Sequence, residues 1–85
     1  MRRIVLRAQC ERDLKRMKRR GKVSDDLLDT ARIVATKGSV PPHYRPHKLS
    51  GTWEGFWECH IESDWLLICG VTTSEVLLVR TGTHA

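Results

Sequence analysis

Three prolines within six residues, Pro41, Pro42 and Pro46, split this sequence into halves that cannot share one kind of secondary structure. Each proline fixes φ and removes a backbone donor, and each pushes the preceding residue out of helical space. Residues 39–48 therefore read as an extended loop. Before the loop the apolar residues recur at helical spacing. After it they alternate or run together as strands do.

The first half opens with Ile4, Val5 and Leu6, a run that suits a short buried strand. Residues 8–20 follow as a helix with Ala8, Cys10, Leu14 and Met17 on one side and a strongly polar remainder. Gly21 stands where a helix-ending glycine belongs. Ser24 predicts the N-cap of a second helix, with Asp25 and Asp26 in a first turn where the dipole favours negative charge. Leu27, Leu28, Ala31, Val34 and Ala35 form its apolar stripe, and Gly38 its stop.

In the second half, residues 56–62 alternate. Trp57, Cys59 and Ile61 fall on one face, and Phe56, Glu58, His60 and Glu62 on the other. Residues 63–64 predict a turn, 65–71 a second strand, 72–74 a turn and 75–81 a third strand, after which residues 82–85 leave the sheet. The order is β-α-α-β-β-β, a small single α+β domain over 1–85 with two helices packed on a four-stranded, mainly antiparallel sheet. The first strand joins an edge or pairs with a distant strand. The helices cover one sheet face and leave the polar face for function.

The 85 residues suffice for one domain with a lean core. No apolar run approaches the ~20 residues of a membrane span, and the start is too short for a signal peptide, so the expectation is a cytoplasmic protein with no membrane partner. Cys10, Cys59 and Cys69 have no close pairing in sequence and read as reduced, small apolar residues. Charge is uneven: residues 1–22 hold ten Lys and Arg against two acids, whereas the rest is net acidic. Such a block suits a polyanionic partner or, more simply, a solvated helix face.

All four histidines, His43, His47, His60 and His84, lie beyond the helices. A histidine pair can act as base and acid near neutral pH, and RNA cleavage needs that pair: a base for the 2′-OH proton, an acid for the departing 5′-oxygen and a cation for the phosphate. His47, His60, Asp64 and His84 can converge if the strands fold as read, while any one histidine alone reads more simply as a surface or hydrogen-bonded structural residue. A metal site is a weaker reading. His43 and His47 have an H-x3-H spacing, but Cys59 and His60 are adjacent on a strand and point to opposite faces. No metal and no cofactor is expected. Trp57 reads as core. Trp65, after the turn at Asp64, reads either as core or as an exposed indole that stacks on a base.

Three ordered motifs then resemble a known family. They are Pro46-His47-Lys48-Leu49-Ser50-Gly51-Thr52-Trp53-Glu54-Gly55, Cys59-His60-Ile61-Glu62-Ser63-Asp64-Trp65-Leu66-Leu67-Ile68, and Arg80-Thr81-Gly82-Thr83-His84-Ala85. Together they look like the YafQ branch of the RelE/ParE superfamily of bacterial toxins. The first half matches in pattern alone. The resemblance implies the RelE-like fold and ribosome-dependent mRNA cleavage by 2′-OH attack, leaving a cyclic phosphate or 3′-phosphate. It also implies a cognate antitoxin that inhibits the toxin, with operator DNA bound through the complex.

By position, the resemblance assigns His47, His60, Asp64 and His84 to the active site. His84 or His60 would transfer protons, His47 would help hold the phosphate, and Asp64 would orient a histidine or act as base. Glu58 stands where relatives are acidic. Arg45, Lys48 and Arg80 are candidate phosphate contacts, and Arg80 reads equally as structural. Arg12, Lys15, Arg16, Lys18, Arg19 and Arg20 would dock on rRNA or meet the antitoxin.

Relatives of that family usually continue past the last histidine to an aromatic residue that positions substrate. The end at Ala85 therefore predicts a weakened toxin. Cys69-Gly70 stands where a bulkier pair is expected, and a strand glycine often marks a bulge. Two other readings remain open: a ParE-like gyrase inhibitor on the same fold, whose relatives generally lack this histidine set, and an inactive module serving as antitoxin partner or repressor component.

Overall fold

The computed structural model describes residues 1–83. The elements run in the predicted order with one strand added after α2: β1 (Arg3–Leu6), α1 (Ala8–Arg19), α2 (Ser24–Lys37), β2 (His47–Lys48), β3 (Trp57–Glu62), β4 (Trp65–Val71) and β5 (Glu75–Thr83). Two 3₁₀ turns, Pro42–Tyr44 and Gly51–Trp53, flank β2. The sheet order is β1-β5-β4-β3-β2, so it has five strands and not four. The fifth is the end of the proline-rich loop, where His47 and Lys48 pair antiparallel with Glu58 and Trp57. Two residues past Pro46 are enough to recover backbone donors for an edge strand.

β1 pairs in parallel with β5, Arg3 opposite Glu75 through Leu6 opposite Leu78. The predicted meander β3-β4-β5 is antiparallel throughout. Gly82 and Thr83 remain in the sheet, opposite Leu66 and Trp65, because β4 still offers partners there.

α1 buries Cys10, Leu14 and Met17 as expected, but Ala8 is exposed and Asp13 takes a place on the buried side. α2 buries Leu27, Ala31, Val34 and Ala35. Both stripes meet Cys59, Trp65, Leu67, Cys69, Val76 and Leu78 of the sheet in one core. Ser24 is the first helical residue and Val23 the cap, without a side-chain cap bond, so the predicted Ser24 cap is not made. α1 and α2 join through Gly21, and α2 ends at Gly38, both at positive φ.

A β-bulge decides the sheet's second face. Ile68 pairs with Arg80, but Cys69 pairs with Leu78, which leaves Val79 as an extra residue on β5. Val76 and Leu78 face the helices before it, and Thr81 after it. Without that extra residue, strict alternation would turn Arg80 toward the core. Gly70 is not the bulge. It pairs regularly with Leu77, and its missing side chain makes room for the Phe56 ring, whose Cε2 would lie 2.8 Å from an added Cβ. Among the described residues, no helix is long and apolar enough to cross a membrane.

Candidate active site

Two rows of side chains cross the sheet face opposite the helices. Ladder partners share a face, as do residues two apart on a strand. The first row is His47, Glu58, Ile68 and Arg80 on β2, β3, β4 and β5. The second is His60, Leu66 and Gly82. The alternation of β3 and the bulge in β5 thus bring His47, Glu58, His60 and Arg80 to one surface.

The His47 and His60 rings lie with centroids 6.4 Å apart at 71°. Arg45 closes the Pro42–Tyr44 turn at φ 50, and its Nη2 stands 3.3 Å from His60 Nδ1. The Ser63 carbonyl oxygen is 3.4 Å from the same nitrogen. These partners suit different proton arrangements. With Nδ1 bare, it accepts from Arg45 and leaves Nε2–H as a donor. With Nδ1 protonated, it donates to Ser63 and leaves Nε2 of the neutral ring as a base. The second arrangement serves both halves of a proton-transfer cycle: Nε2 of the neutral ring takes a proton, and the resulting imidazolium keeps its Nδ1–H bond to Ser63 and returns the proton from Nε2.

Asp64, in the turn after β3, accepts a 3.0 Å bond from Lys22 Nζ, which also donates to Glu62 at 2.7 Å. Lys22 was not among the expected site residues. It comes from the link between the helices, and the carboxylates of Glu62 and Asp64 raise its pKa above the ordinary lysine value. The basic character of residues 1–22 hides it, since one lysine among ten cations carries no distinguishing signal.

Arg80 is shared between two environments. Its Nε donates to the buried Asp13 at 2.7 Å, yet its side chain keeps 46% exposure and lines an open pocket of about 250 Å³. Trp53, Glu58, Leu66, Ile68 and Gly82 share that pocket. Burial pushes the Asp13 carboxyl up, but bonds from Arg80, Gln9 and the Thr81 amide outweigh it and hold the group below its usual range. Arg80 therefore has a structural partner in Asp13 and still leaves part of its guanidinium exposed to the pocket.

Two expected contacts fall elsewhere. Trp65 is fully buried, and its indole Nε1–H donates to Thr81 Oγ1 at 2.8 Å, so it presents no face to a base. It directly follows the turn but points to the helix side of β4. Lys48 alternates away from His47 and pairs with Trp57, with Nζ 5.4 Å from that ring. It lies on the other face and not in the histidine row. His84 lies outside the described residues. His43 stacks on Tyr44, centroids 4.1 Å apart. Among the described residues, no three His, Cys, Asp or Glu side chains gather as a metal-holding group.

The thiols take no part in this face. Cys10, Cys59 and Cys69 are buried on the helix side, and burial pushes Cys10 up to about 12. Cys59 is likewise raised by its thiol neighbour Cys69 and by burial. The basic residues Arg12, Lys15, Arg16, Lys18, Arg19 and Arg20 are all exposed on and just after α1.

A basic helix beside a polar, histidine-bearing sheet face fits the class to which the similar proteins belong, the small toxins of type II toxin–antitoxin systems with a RelE-like fold. Residues 2–85 match the family described as "Bacterial toxin of type II toxin-antitoxin system, YafQ". The mRNA interferase toxin YafQ of Escherichia coli K12 is 37% identical over 84 residues, which span 96% of this chain and 90% of that protein. A crystal structure of a YafQ point mutant from E. coli superposes with a TM-score of 0.85 at 30% identity, covering 99% of this chain and 94% of that one. YafQ in the E. coli DinJ–YafQ toxin–antitoxin complex gives 0.83 at 32%, covering 98% and 92%. A metal-bound toxin from Helicobacter pylori gives 0.85 at 30%, covering 99% and 96%. The chain belongs to the YafQ family of type II toxin–antitoxin toxins.

Proposed function

We infer that this chain is a ribosome-dependent mRNA endonuclease restrained by a cognate antitoxin. The observation that carries this reading is the His47–His60 pair, with Arg45 against His60, on an open polar sheet face. The E. coli relatives named mRNA interferase toxin support the substrate, and the DinJ–YafQ complex supports the partner.

In the reaction, a base removes the 2′-OH proton, and O2′ bonds to phosphorus. The P–O5′ bond breaks, and an acid returns a proton to O5′. A cyclic 2′,3′-phosphate remains. His60 transfers protons through Nε2, with His84 as its counterpart and Asp64 orienting the histidine. His47 and Arg45 meet the phosphate, where cations oppose the charge that develops. Arg80 adds the exposed part of its guanidinium. The residues proposed here carry each of these steps by proton transfer and charge. The α1 cations hold rRNA phosphates, a sequence-independent contact. The protein works in the cytoplasm, and operator DNA is reached through the antitoxin complex.

Primer extension on a reporter mRNA in a reconstituted translation system tests this. Cuts at fixed codon positions are expected with ribosomes and not without them, and His60→Ala should lower cutting by about 10²–10⁴-fold while antitoxin binding persists. Unchanged cutting by the His47/His60/His84 triple alanine variant would sink the assignment.

A further inference from the structure

The pocket beside Arg80 has a construction that phosphate chemistry alone does not call for. Its floor is apolar, Leu66 and Ile68 of β4, and one wall is the indole of Trp53. Trp53 sits in the Gly51–Trp53 turn and is braced edge-on by Phe56, with ring centroids 5.8 Å apart at 85°. Phe56 in turn fills the space above Gly70. The indole is therefore a fixed plate and not a loose surface aromatic.

The polar residues that line it are Glu58, Arg80, Thr81 and Thr83, of which Glu58 and Arg80 carry charge. Glu58 is half-buried and has no hydrogen bond or ion pair among the described residues, whereas Arg80 is anchored by Asp13. The pocket's ~250 Å³ is below the ~300–1,000 Å³ of sites for drug-sized ligands and suits one flat heterocycle. It adjoins the histidines directly: Leu66 is the ladder partner of His60, and Glu58 that of His47.

We propose that this pocket is a nucleobase subsite, with Trp53 as its stacking plate and Glu58 selecting guanine at the nucleotide next to the cleaved phosphate. The proposal rests on the endonuclease reading and names the substrate feature the site selects. Aromatic side chains stack on any base, so Trp53 supplies affinity without choice. Choice comes from Glu58. An ionised carboxylate only accepts, and accepts through two oxygens. Guanine offers two parallel N–H donors, N1–H and N2–H, on one edge. Adenine and cytosine offer one amino group beside an acceptor nitrogen, and uracil one N–H between two carbonyls. Those flanking acceptors face the carboxylate unfavourably. Arg80, on the neighbouring strand beyond Ile68, meets the phosphate side of the same nucleotide.

The test uses binding and cleavage separately. Guanosine 3′-monophosphate and its adenosine, cytidine and uridine counterparts are titrated into the ¹⁵N-labelled protein, with the Trp53 indole resonance identified by Trp53→Phe. The guanosine nucleotide is expected to shift the Trp53 indole and Gly82 amide resonances with an affinity at least about tenfold higher than the uridine one. Glu58→Gln should erase that advantage, because its amide offers one donor and one acceptor. Trp53→Ala should weaken all four about tenfold, and Trp53→Phe should restore part of that affinity. Antitoxin binding by each variant reports that the fold is intact. On ribosomes programmed with single-base codon variants, wild-type cutting should favour guanine beside the cut and Glu58→Gln should flatten that preference. No shift at Trp53 at millimolar nucleotide, or equal affinity for all four bases, would overturn the subsite. Guanine-selective binding without any mRNA cutting would keep the subsite and overturn the endonuclease reading instead.

Discussion

Asp13 of α1 and Arg80 of β5 meet at 2.7 Å, and the same carboxylate accepts the Thr81 amide at 3.2 Å. β1 pairs with β5 only as far as Leu78, so the later residues of β5 would otherwise present bare donors at an open edge. Asp13 covers that edge with no side-chain exposure of its own. One buried carboxylate thus docks the basic helix on the sheet and fixes the arginine that overlooks the candidate active face.

Asp13→Ala should cost about 2–3 kcal/mol in urea unfolding, less than for a fully buried pair because Arg80 is half-exposed. The acid side follows from the same bonds. A carboxyl lowered by folding contributes stability that is fully present above the unfolded pKa, about pH 4, and is lost as pH falls through its folded value. Wild-type stability should decline across that acid window, and Asp13→Asn should remove that part of the slope. An unchanged slope in the variant would contradict the assignment.

Lys22 binds Glu62 and Asp64 across the end of the β3–β4 hairpin. Lys22→Met should leave the fold cooperative but release Asp64, lowering single-turnover mRNA cutting by about tenfold to a hundredfold through misplacement. The raised lysine pKa gives a stabilising contribution that is present below the ordinary value of about 10.4 and lost as pH rises through the higher folded value. Cutting equal to wild type would show that the turn holds Asp64 without the clamp.

The exposed cations of α1 make a salt-sensitive contact if they meet rRNA. Replacing Arg16 and Arg19 with Gln should weaken ribosome association at every salt concentration. It should also reduce the slope of log K against log salt by about one for each phosphate no longer neutralised. A slope unchanged by both substitutions would assign these residues to a solvated face or to the antitoxin.

Gly70 carries the Phe56 ring that braces Trp53. Gly70→Ala places a methyl group against that ring and should destabilise the protein by about 1–3 kcal/mol. Thermal unfolding measures the cost. Combining it with Phe56→Leu should recover stability, because the smaller side chain yields the space.

Local pattern was enough to read both helices, the order of the elements, the meander and the alternation that separates His60 from Cys59. These depend on neighbours in sequence, and helical or two-residue periodicity records them directly. Charge alone marked α1 as a basic surface, and the three motifs marked the family. Other features needed the third dimension. Trp65 and Lys48 each sit one alternation away from the candidate face, and only the ladder register tells which side that is. The fifth strand is two residues long, too short for any period to reveal. The Val79 bulge turns Arg80 outward, and nothing in the run Glu75 to Thr83 signals which residue is extra. Asp13 and Lys22 meet partners up to 68 residues away in the chain. The sequence by itself determined which segments fold as helix or strand and which chemical groups the chain carries. Tertiary structure decided which of those groups meet, because strand register, a single bulge and long-range ion pairs fix the faces on which they stand.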